Sequence, residues 1–158
     1  MTRKLAHLCG LLLVALLVLP SAAQRPDAPT FAQRGPYPVG TIDFIIPDDD
    51  GDRPLPITVW YPALNPDGDT EEHTYRYGLL TTEGRALSTA APNTDDGPYP
   101  LVIFSHGNSG FRLQSLFLTE HLASWGFVVI APDHTTNTMM DSLQQATFLQ
   151  DLPLNYFN

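Results

Sequence analysis

Two short apolar runs, separated by about one helix length, constrain the fold of this chain most strongly. Leu101–Phe104 and Phe127–Ala131 contain no polar residue, which is typical of strands buried on both faces of a sheet. Between them, Phe111–Trp125 carries apolar residues at helical spacing, and Gly126 follows where a left-handed helix cap is expected. This order predicts a parallel β-α-β unit with a right-handed crossover.

The segments on either side of this unit predict further elements. Thr41–Pro47 alternates and is rich in β-branched residues, and Ile57–Tyr61 repeats that pattern after an acidic loop, so together they predict an antiparallel hairpin. The polar stretch from Ala63 to Pro98 shows no sustained period and is expected to be mostly irregular. Met139–Leu152 predicts a weaker helix. The expected fold class is α/β, with a hairpin followed by the parallel β-α-β unit.

The amino-terminal residues have the form of a secretory signal. Basic residues precede an apolar run from Leu8 to Leu19, and small residues end at Ala23, which predicts a signal peptide over residues 1–23. The run would span about 18 Å of a bilayer core near 30 Å, so no stable membrane span is expected after cleavage. Residues 24–40, rich in proline and glycine, predict an extended leader. The expected product is secreted or periplasmic.

Charge and cysteine content argue against several classes of function. The 158-residue chain has 17 acidic and 8 basic side chains, and loss of Arg3 and Lys4 with the signal would leave a net charge of −11. Such a surface repels phosphate backbones, so no nucleic-acid partner is expected. The single cysteine, Cys9, lies in the signal, and the expected mature protein therefore has no disulfide or thiolate nucleophile.

The turn that follows the first strand of the β-α-β unit is the best candidate for chemistry. Residues 106–110 have the sequence His-Gly-Asn-Ser-Gly and lie at the carboxyl edge of the predicted sheet, where open α/β folds bind ligands. The turn lacks the Lys-Ser/Thr pair of a P-loop and the spacing of a dinucleotide site, which argues against a phosphate loop. An oxyanion hole for acyl transfer and a purely structural glycine turn both fit these residues.

Five short motifs around this turn occur in a characteristic order and spacing. They are Arg53-Pro54, ITVWYPA at 57–63, PLVIFSHG at 100–107, LAS-x-GFVV at 122–129 and APDH at 131–134. Together they resemble the N-terminal part of an α/β-hydrolase of the platelet-activating-factor acetylhydrolase and dienelactone-hydrolase-like group. Bacterial cutinase-like polyesterases share much of the pattern. The resemblance extends over about residues 36–150 and rests on the ordered set, since no single motif is decisive.

The resemblance implies a carboxylic-ester hydrolase with a serine nucleophile, a histidine base and an aspartate, and with no metal or organic cofactor. In that group the residue after the His-Gly pair donates its backbone N–H to the oxyanion, and that residue here is Asn108. Gly107, Ser109 and Phe111 are the expected substrate-binding neighbours. The expected partner is a small-molecule or lipid ester resembling 1-alkyl-2-acetylglycerophosphocholine. A polyesterase or a dienelactone-hydrolase-like enzyme is the alternative.

The catalytic triad is expected outside these residues. The family order is a G-x-S-x-G elbow, then aspartate, then histidine, all after this point, and the 158 residues contain no G-x-S-x-G. Residues 41–158 are therefore expected to be the N-terminal portion of a hydrolase domain, truncated before its nucleophile and inactive alone. Two alternatives stay open: a local nucleophile at Ser109 with Asp133 and His134, and a secreted non-catalytic binding module.

The remaining polar residues give weaker signals. His106 is predicted to be a structural hydrogen-bonding residue behind the turn, and Asp133-His134 to bond structurally at the end of its strand. The acidic run at residues 48–52 has glycine at the fourth loop position instead of the sixth, which favours a solvated turn over a calcium loop. The histidine spacings match no zinc motif.

Overall fold

The computed structural model describes residues 29–47 and 53–150. Residues 29–33 contain one turn of 3-10 helix, Thr30–Ala32, and belong to a different compact unit from the one that begins at Arg34. The predicted signal peptide, residues 1–23, and the acidic run at 48–52 lie outside the described residues. No helix within the described ranges is both long and apolar enough to cross a membrane.

The unit that begins at Arg34 contains strands and helices in the order expected of an α/β fold. The longest strands form the first hairpin, whereas the strand that precedes the candidate turn is only three residues long. In the described part of the chain the elements are β1 (Val39–Ile46), β2 (Leu55–Pro62), β3 (His73–Tyr77), β4 (Leu80–Gly84), β5 (Leu87–Ser88), β6 (Leu101–Ile103), α1 (Leu116–Ser124), β7 (Val128–Pro132) and α2 (Met139–Gln150).

The main sheet has the strand order β5-β1-β2-β7-β6. The predicted hairpin is confirmed, because β1 pairs antiparallel with β2 from Val39 opposite Pro62 to Ile46 opposite Leu55. The predicted β-α-β unit is confirmed as well, because β6 and β7 are parallel neighbours joined through α1. β7 also pairs antiparallel with β2, which makes the sheet mixed. The predicted α/β class therefore holds, with the hairpin and the parallel unit in one sheet.

The stretch Ala63–Pro98 is mostly irregular, as expected, but it also contains strands that the sequence analysis did not predict. This stretch contains β5 and a separate two-stranded sheet in which β3 and β4 pair antiparallel around a turn at Gly78 and Leu79. Gly78 has φ +59°, a backbone conformation that glycine adopts without the steric cost of a Cβ. The alternation His-Thr-Tyr-Arg-Tyr in β3 places Tyr75 and Tyr77 on the buried side, and this period of two was the missed signal.

The helix after the candidate turn is shorter than predicted. Residues 112–115 form turns, and α1 begins at Leu116 rather than at Phe111. Its end is as expected: Gly126 has φ +90°, and the Phe127 N–H donates to the Leu122 carbonyl oxygen at 3.2 Å. The second helix is confirmed from Met139 through Gln150.

The prediction that Leu101–Phe104 is buried on both faces is wrong. Leu101 is 57% exposed and Ile103 is 68% exposed, whereas Val102 and Phe104 pack against the core. Among the described strands β6 has a neighbour on one side only, so one face and one edge of it remain open. The core lies on the other face of the sheet, where Trp60 is fully buried.

β6 is an uncharged edge strand with two exposed aliphatic side chains. We therefore expect copies of the 158-residue chain to associate through this edge. Ile103→Lys should suppress light scattering on heating and change the free energy of unfolding by less than about 0.5 kcal/mol. The matched variant Val102→Lys places its charge in the core. Its free energy of unfolding should be lower by about 2 kcal/mol or more. Equal effects of the two substitutions on scattering and stability would contradict this assignment of faces.

Candidate active site

The candidate turn continues directly from β6 at the carboxyl edge of the sheet. The Phe104 N–H donates to the Ile130 carbonyl oxygen at 2.8 Å, which extends the pairing of β6 with β7 one residue towards the turn. The Gly110 N–H then donates to the Gly107 carbonyl oxygen at 3.0 Å and closes a tight turn. The turn is thus tied to the sheet edge immediately before it reverses direction.

His106 is buried behind the turn and bonds to backbone groups through both ring nitrogens. Its Nε2 accepts the His134 backbone N–H at 2.9 Å, and its Nδ1 lies 2.8 Å from the Gly107 carbonyl oxygen. Since Nε2 accepts and a carbonyl oxygen can only accept, these contacts require the neutral ring with its proton on Nδ1. His106 is 5% exposed. The structure places it in the structural role that the sequence predicts.

These bonds determine the direction of the next peptide group. The Gly107–Asn108 peptide is trans, so its N–H points opposite to its carbonyl. The carbonyl of Gly107 receives the bonds from His106 and Gly110, and the Asn108 N–H therefore points away from them. Asn108 is exposed, and none of the described residues accepts its backbone N–H. The turn thus presents one unpaired donor at the sheet edge.

Ser109 bonds to the loop before α2 and to α2 itself. Its N–H donates to Asn137 Oδ1 at 3.3 Å, and its Oγ lies 2.6 Å from Ser142 Oγ. The Met139 N–H also donates to the Gly110 carbonyl oxygen at 2.9 Å. Ser109 has φ +55° and pairs with a serine, not with an imidazole, so the alternative of a local nucleophile at Ser109 lacks its base.

A serine–histidine contact that sequence analysis missed lies beside the turn. Ser105 Oγ and His134 Nε2 are 2.7 Å apart, and the His134 ring lies 4.3 Å from the His106 ring. Both residues come just after parallel neighbouring strands, a signal that places their side chains at one edge. The adjacent Asp133 does not orient this histidine, because its carboxylate binds Arg112.

The ion pair of Arg112 and Asp133 fixes the exit from the turn. Asp133 Oδ1 accepts the Arg112 backbone N–H at 2.7 Å, and Asp133 Oδ2 accepts Arg112 Nη1 at 2.6 Å. Arg112 Nε donates to Thr58 Oγ1 at 2.9 Å, and Thr58 in turn donates to Asp43. Both partners of the ion pair are largely buried. The structural bonding predicted for Asp133 is confirmed, whereas the role of Arg112 was not predicted.

Phe111 packs between the turn and the β3–β4 hairpin. Its ring lies 4.7 Å from the Tyr77 ring at an interplanar angle of 31°. Burial raises the pKa of the Tyr77 hydroxyl. Phe111 is half-buried and lines a cavity of about 570 Å³ under the hairpin. Its predicted contact with substrate stays a prediction, as do those of Gly107 and Ser109.

Within the described ranges no cluster of three or more His, Cys, Asp or Glu side chains has the geometry of a metal site.

The sheet order, the parallel β-α-β unit and the turn at its carboxyl edge define an α/β-hydrolase of the esterase group. The family model for platelet-activating factor acetylhydrolase, isoform II, matches residues 74–152, which is half of the chain. The chain belongs to this family. A solved structure of a ferulic acid esterase from Streptomyces cinnamoneus is 29% identical, with a TM-score of 0.46; the match covers 71% of this chain and 36% of that one. The chain therefore spans about a third of that esterase.

The ion pair gives a stability prediction for the site. Arg112→Ala leaves the Asp133 carboxylate buried without its cation and should lower the free energy of unfolding by about 3–5 kcal/mol. The control Arg76→Ala removes an exposed guanidinium of β3 and should change it by less than about 0.5 kcal/mol. Urea denaturation followed by circular dichroism measures both. A loss below about 1 kcal/mol in Arg112→Ala would show that the pair does not anchor the turn.

Proposed function

We propose that the chain supplies the oxyanion turn of a serine carboxylic-ester hydrolase. The family match supports hydrolase chemistry of the esterase type. The observation that carries the proposal is the unpaired Asn108 N–H, which stays free because His106 and Gly110 both bond to the opposite side of the same peptide. A backbone donor whose direction is set before substrate arrives is what stabilises a developing oxyanion.

In the proposed reaction a serine from a G-x-S-x-G elbow outside these 158 residues attacks the ester carbonyl carbon. Its proton passes to a histidine, and the carbonyl electron pair moves to the oxygen, which accepts the Asn108 N–H and a second backbone donor. Collapse of this intermediate releases the alcohol, which takes the proton from the histidine, and water then hydrolyses the acyl-enzyme. Gly107, Ser109 and Phe111 are proposed to line the acyl side.

The proposed substrate is a lipid ester like the one for which the family is named, an acetylated alkylglycerophosphocholine. The amino-terminal basic and apolar sequence supports export of the protein to a secreted or periplasmic location. A polyesterase or a dienelactone-hydrolase-like enzyme remains the alternative within the same chemistry. A secreted non-catalytic binding module is the alternative outside it. The net negative charge of the chain supports the proposal that nucleic acid is not a partner.

The role of Asn108 is tested by comparing two substitutions in the protein that carries the downstream nucleophile. Asn108→Pro removes the backbone N–H and should lower kcat by about 10²–10³ with little change in KM. Asn108→Ala removes only the side chain and keeps the donor, so its kcat should fall far less. Steady-state hydrolysis of p-nitrophenyl acetate measures both. Equal losses in the two variants would assign the role to the side chain or to turn stability.

The 158-residue chain on its own should not hydrolyse p-nitrophenyl acetate above a buffer-plus-protein control. Ser109 has no imidazole partner, and the Ser105–His134 contact lacks a carboxylate, because Asp133 is bound to Arg112. Turnover that disappears in Ser105→Ala but persists in Ser109→Ala would contradict this expectation. Such a result would make Ser105 the nucleophile of an unexpected local site.

A further inference from the structure

Two residues with an unusual backbone conformation meet beside the candidate turn. Among the described residues, those other than glycine with positive φ are Thr89, Ser109 and Thr136, and the last two have φ +55° and +75°. Serine and threonine seldom adopt this left-handed conformation, and the steric cost is larger for a β-branched residue such as threonine. Backbone strain of this kind persists only where surrounding contacts hold it, and it is concentrated at functional sites.

Each of these two residues is the third residue of a tight turn that follows a strand of the parallel pair. After β6, the Gly110 N–H donates to the Gly107 carbonyl oxygen at 3.0 Å, and Ser109 is the third residue of that turn. After β7, residues 134–137 form a second turn, closed by a backbone bond of 2.8 Å, and Thr136 is its third residue. Turns with a positive φ at this position favour glycine or asparagine. Since neither turn has one of these there, contacts from outside each turn must hold its shape.

The contacts that hold Ser109 come from the second turn and from α2. The Ser109 N–H donates to Asn137 Oδ1 at 3.3 Å, and Ser109 Oγ lies 2.6 Å from Ser142 Oγ. The next residue is held by the same segment, because the Met139 N–H donates to the Gly110 carbonyl oxygen at 2.9 Å. The N–H and the side chain of Ser109 are thus both bound to one neighbouring part of the chain.

These contacts bear on the oxyanion donor because Asn108 lies between two peptide groups that are both held. The peptide before it contains the unpaired N–H, and the carbonyl of that peptide is bound by His106 and Gly110. The peptide after it is held through the Ser109 N–H. If Ser109 relaxed to a negative φ, the second peptide would rotate, and the turn bond from Gly110 that orients the first peptide would weaken.

We propose that Asn137 and Ser142 are positioning residues for the oxyanion donor, an inference that rests on the proposed function of Asn108. They hold Ser109 in its left-handed conformation and thereby fix the direction of the Asn108 N–H before substrate binds. Their effect on the reaction passes through the backbone of the turn and not through contact with substrate.

The first test removes the acceptor of the Ser109 N–H. In the protein that carries the downstream nucleophile, Asn137→Ala should lower kcat for p-nitrophenyl acetate about tenfold and leave KM within about twofold, because a misdirected donor acts mainly in the transition state. The melting temperature should hardly change, since Asn137 is exposed and its bond of 3.3 Å is long. The matched control Asn65→Ala removes an amide that accepts the Asp69 N–H at the opposite edge of the sheet, and it should leave kcat unchanged.

Glycine at position 109 separates positioning from a general loss of structure. Glycine adopts a positive φ without steric cost, so the turn in Ser109→Gly no longer needs the acceptor. In that background Asn137→Ala should lower kcat by less than about threefold, against about tenfold with serine. Only the ratio within each background is compared, because Ser109 is itself proposed to line the acyl side. Equal ratios in the two backgrounds would overturn the proposal.

Ser142 provides an independent pair of variants if Asn137→Ala does not fold. Ser142→Ala removes the hydroxyl from α2, where alanine is favourable, so kcat should fall about three- to tenfold in a folded protein. Ser142→Thr keeps the hydroxyl and should retain more than about half of the wild-type kcat. A loss in Ser142→Thr as large as that in Ser142→Ala would contradict the proposal.

Amide hydrogen exchange separates a failure of this inference from a failure of the proposed function. In Asn137→Ala the amide protons of Ser109 and Gly110 should exchange at least about fivefold faster, whether or not the turn takes part in catalysis. Faster exchange with unchanged kcat in both Asn137→Ala and Asn108→Pro would contradict the proposed function and, with it, the positioning role. Unchanged kcat in Asn137→Ala together with a large loss in Asn108→Pro would uphold the oxyanion donor and overturn the positioning role alone.

Discussion

The buried ion pair between Arg112 and Asp133 is the constraint on which the candidate site depends. Asp133 directly follows β7, and its carboxylate accepts hydrogen bonds from both the guanidinium and the backbone N–H of Arg112, which lies just beyond the turn. The next residue, His134, donates its backbone N–H to His106 at the start of the turn. Two adjacent residues of one strand end thus fix the entry and the exit of the turn. A loop held at both ends loses little further entropy when a ligand binds.

This arrangement explains why an exposed loop can present a backbone donor in one direction. The Gly107 carbonyl is turned inward by His106 and Gly110, and α2 contributes a third anchor through Ser109 and Ser142. Hydrogen bonds from the Thr138 side chain and then from its backbone lower the pKa of Asp141 in the first turn of α2. The Asp141 N–H in turn donates to the Thr138 hydroxyl oxygen at 3.2 Å, so the two residues form a reciprocal cap at the start of this helix. The anchors come from segments distant in sequence, and together they provide the preorganisation that an oxyanion donor needs.

Sequence patterns predicted those parts of the fold that are set by local periodicity. The two apolar runs, the helix between them and Gly126 gave the β-α-β unit, and alternation gave the first hairpin. The exposure of Ile103 did not follow from the apolar run itself, because the burial of a strand depends on which elements cover it and not on its own residues. The β3–β4 hairpin was missed because its alternation extends over only five residues of β3. Much of its support is non-local, since Tyr75 bonds to Glu120, 45 residues away. Arg112 was missed for the same reason, as its partner lies 21 residues further along the chain.

Helix α1 packs between the main sheet and the β3–β4 hairpin. Ala123 and Ser124 are fully buried, and Gly35 approaches the Ser124 carbonyl so closely that a Cβ at position 35 would overlap it. Glu120 lies one turn earlier and faces the hairpin, where a Cβ on Gly84 would overlap its Oε1. Glycine at position 84 is thus required by the space that the Glu120 carboxylate and the Tyr75 ring occupy rather than by a left-handed backbone.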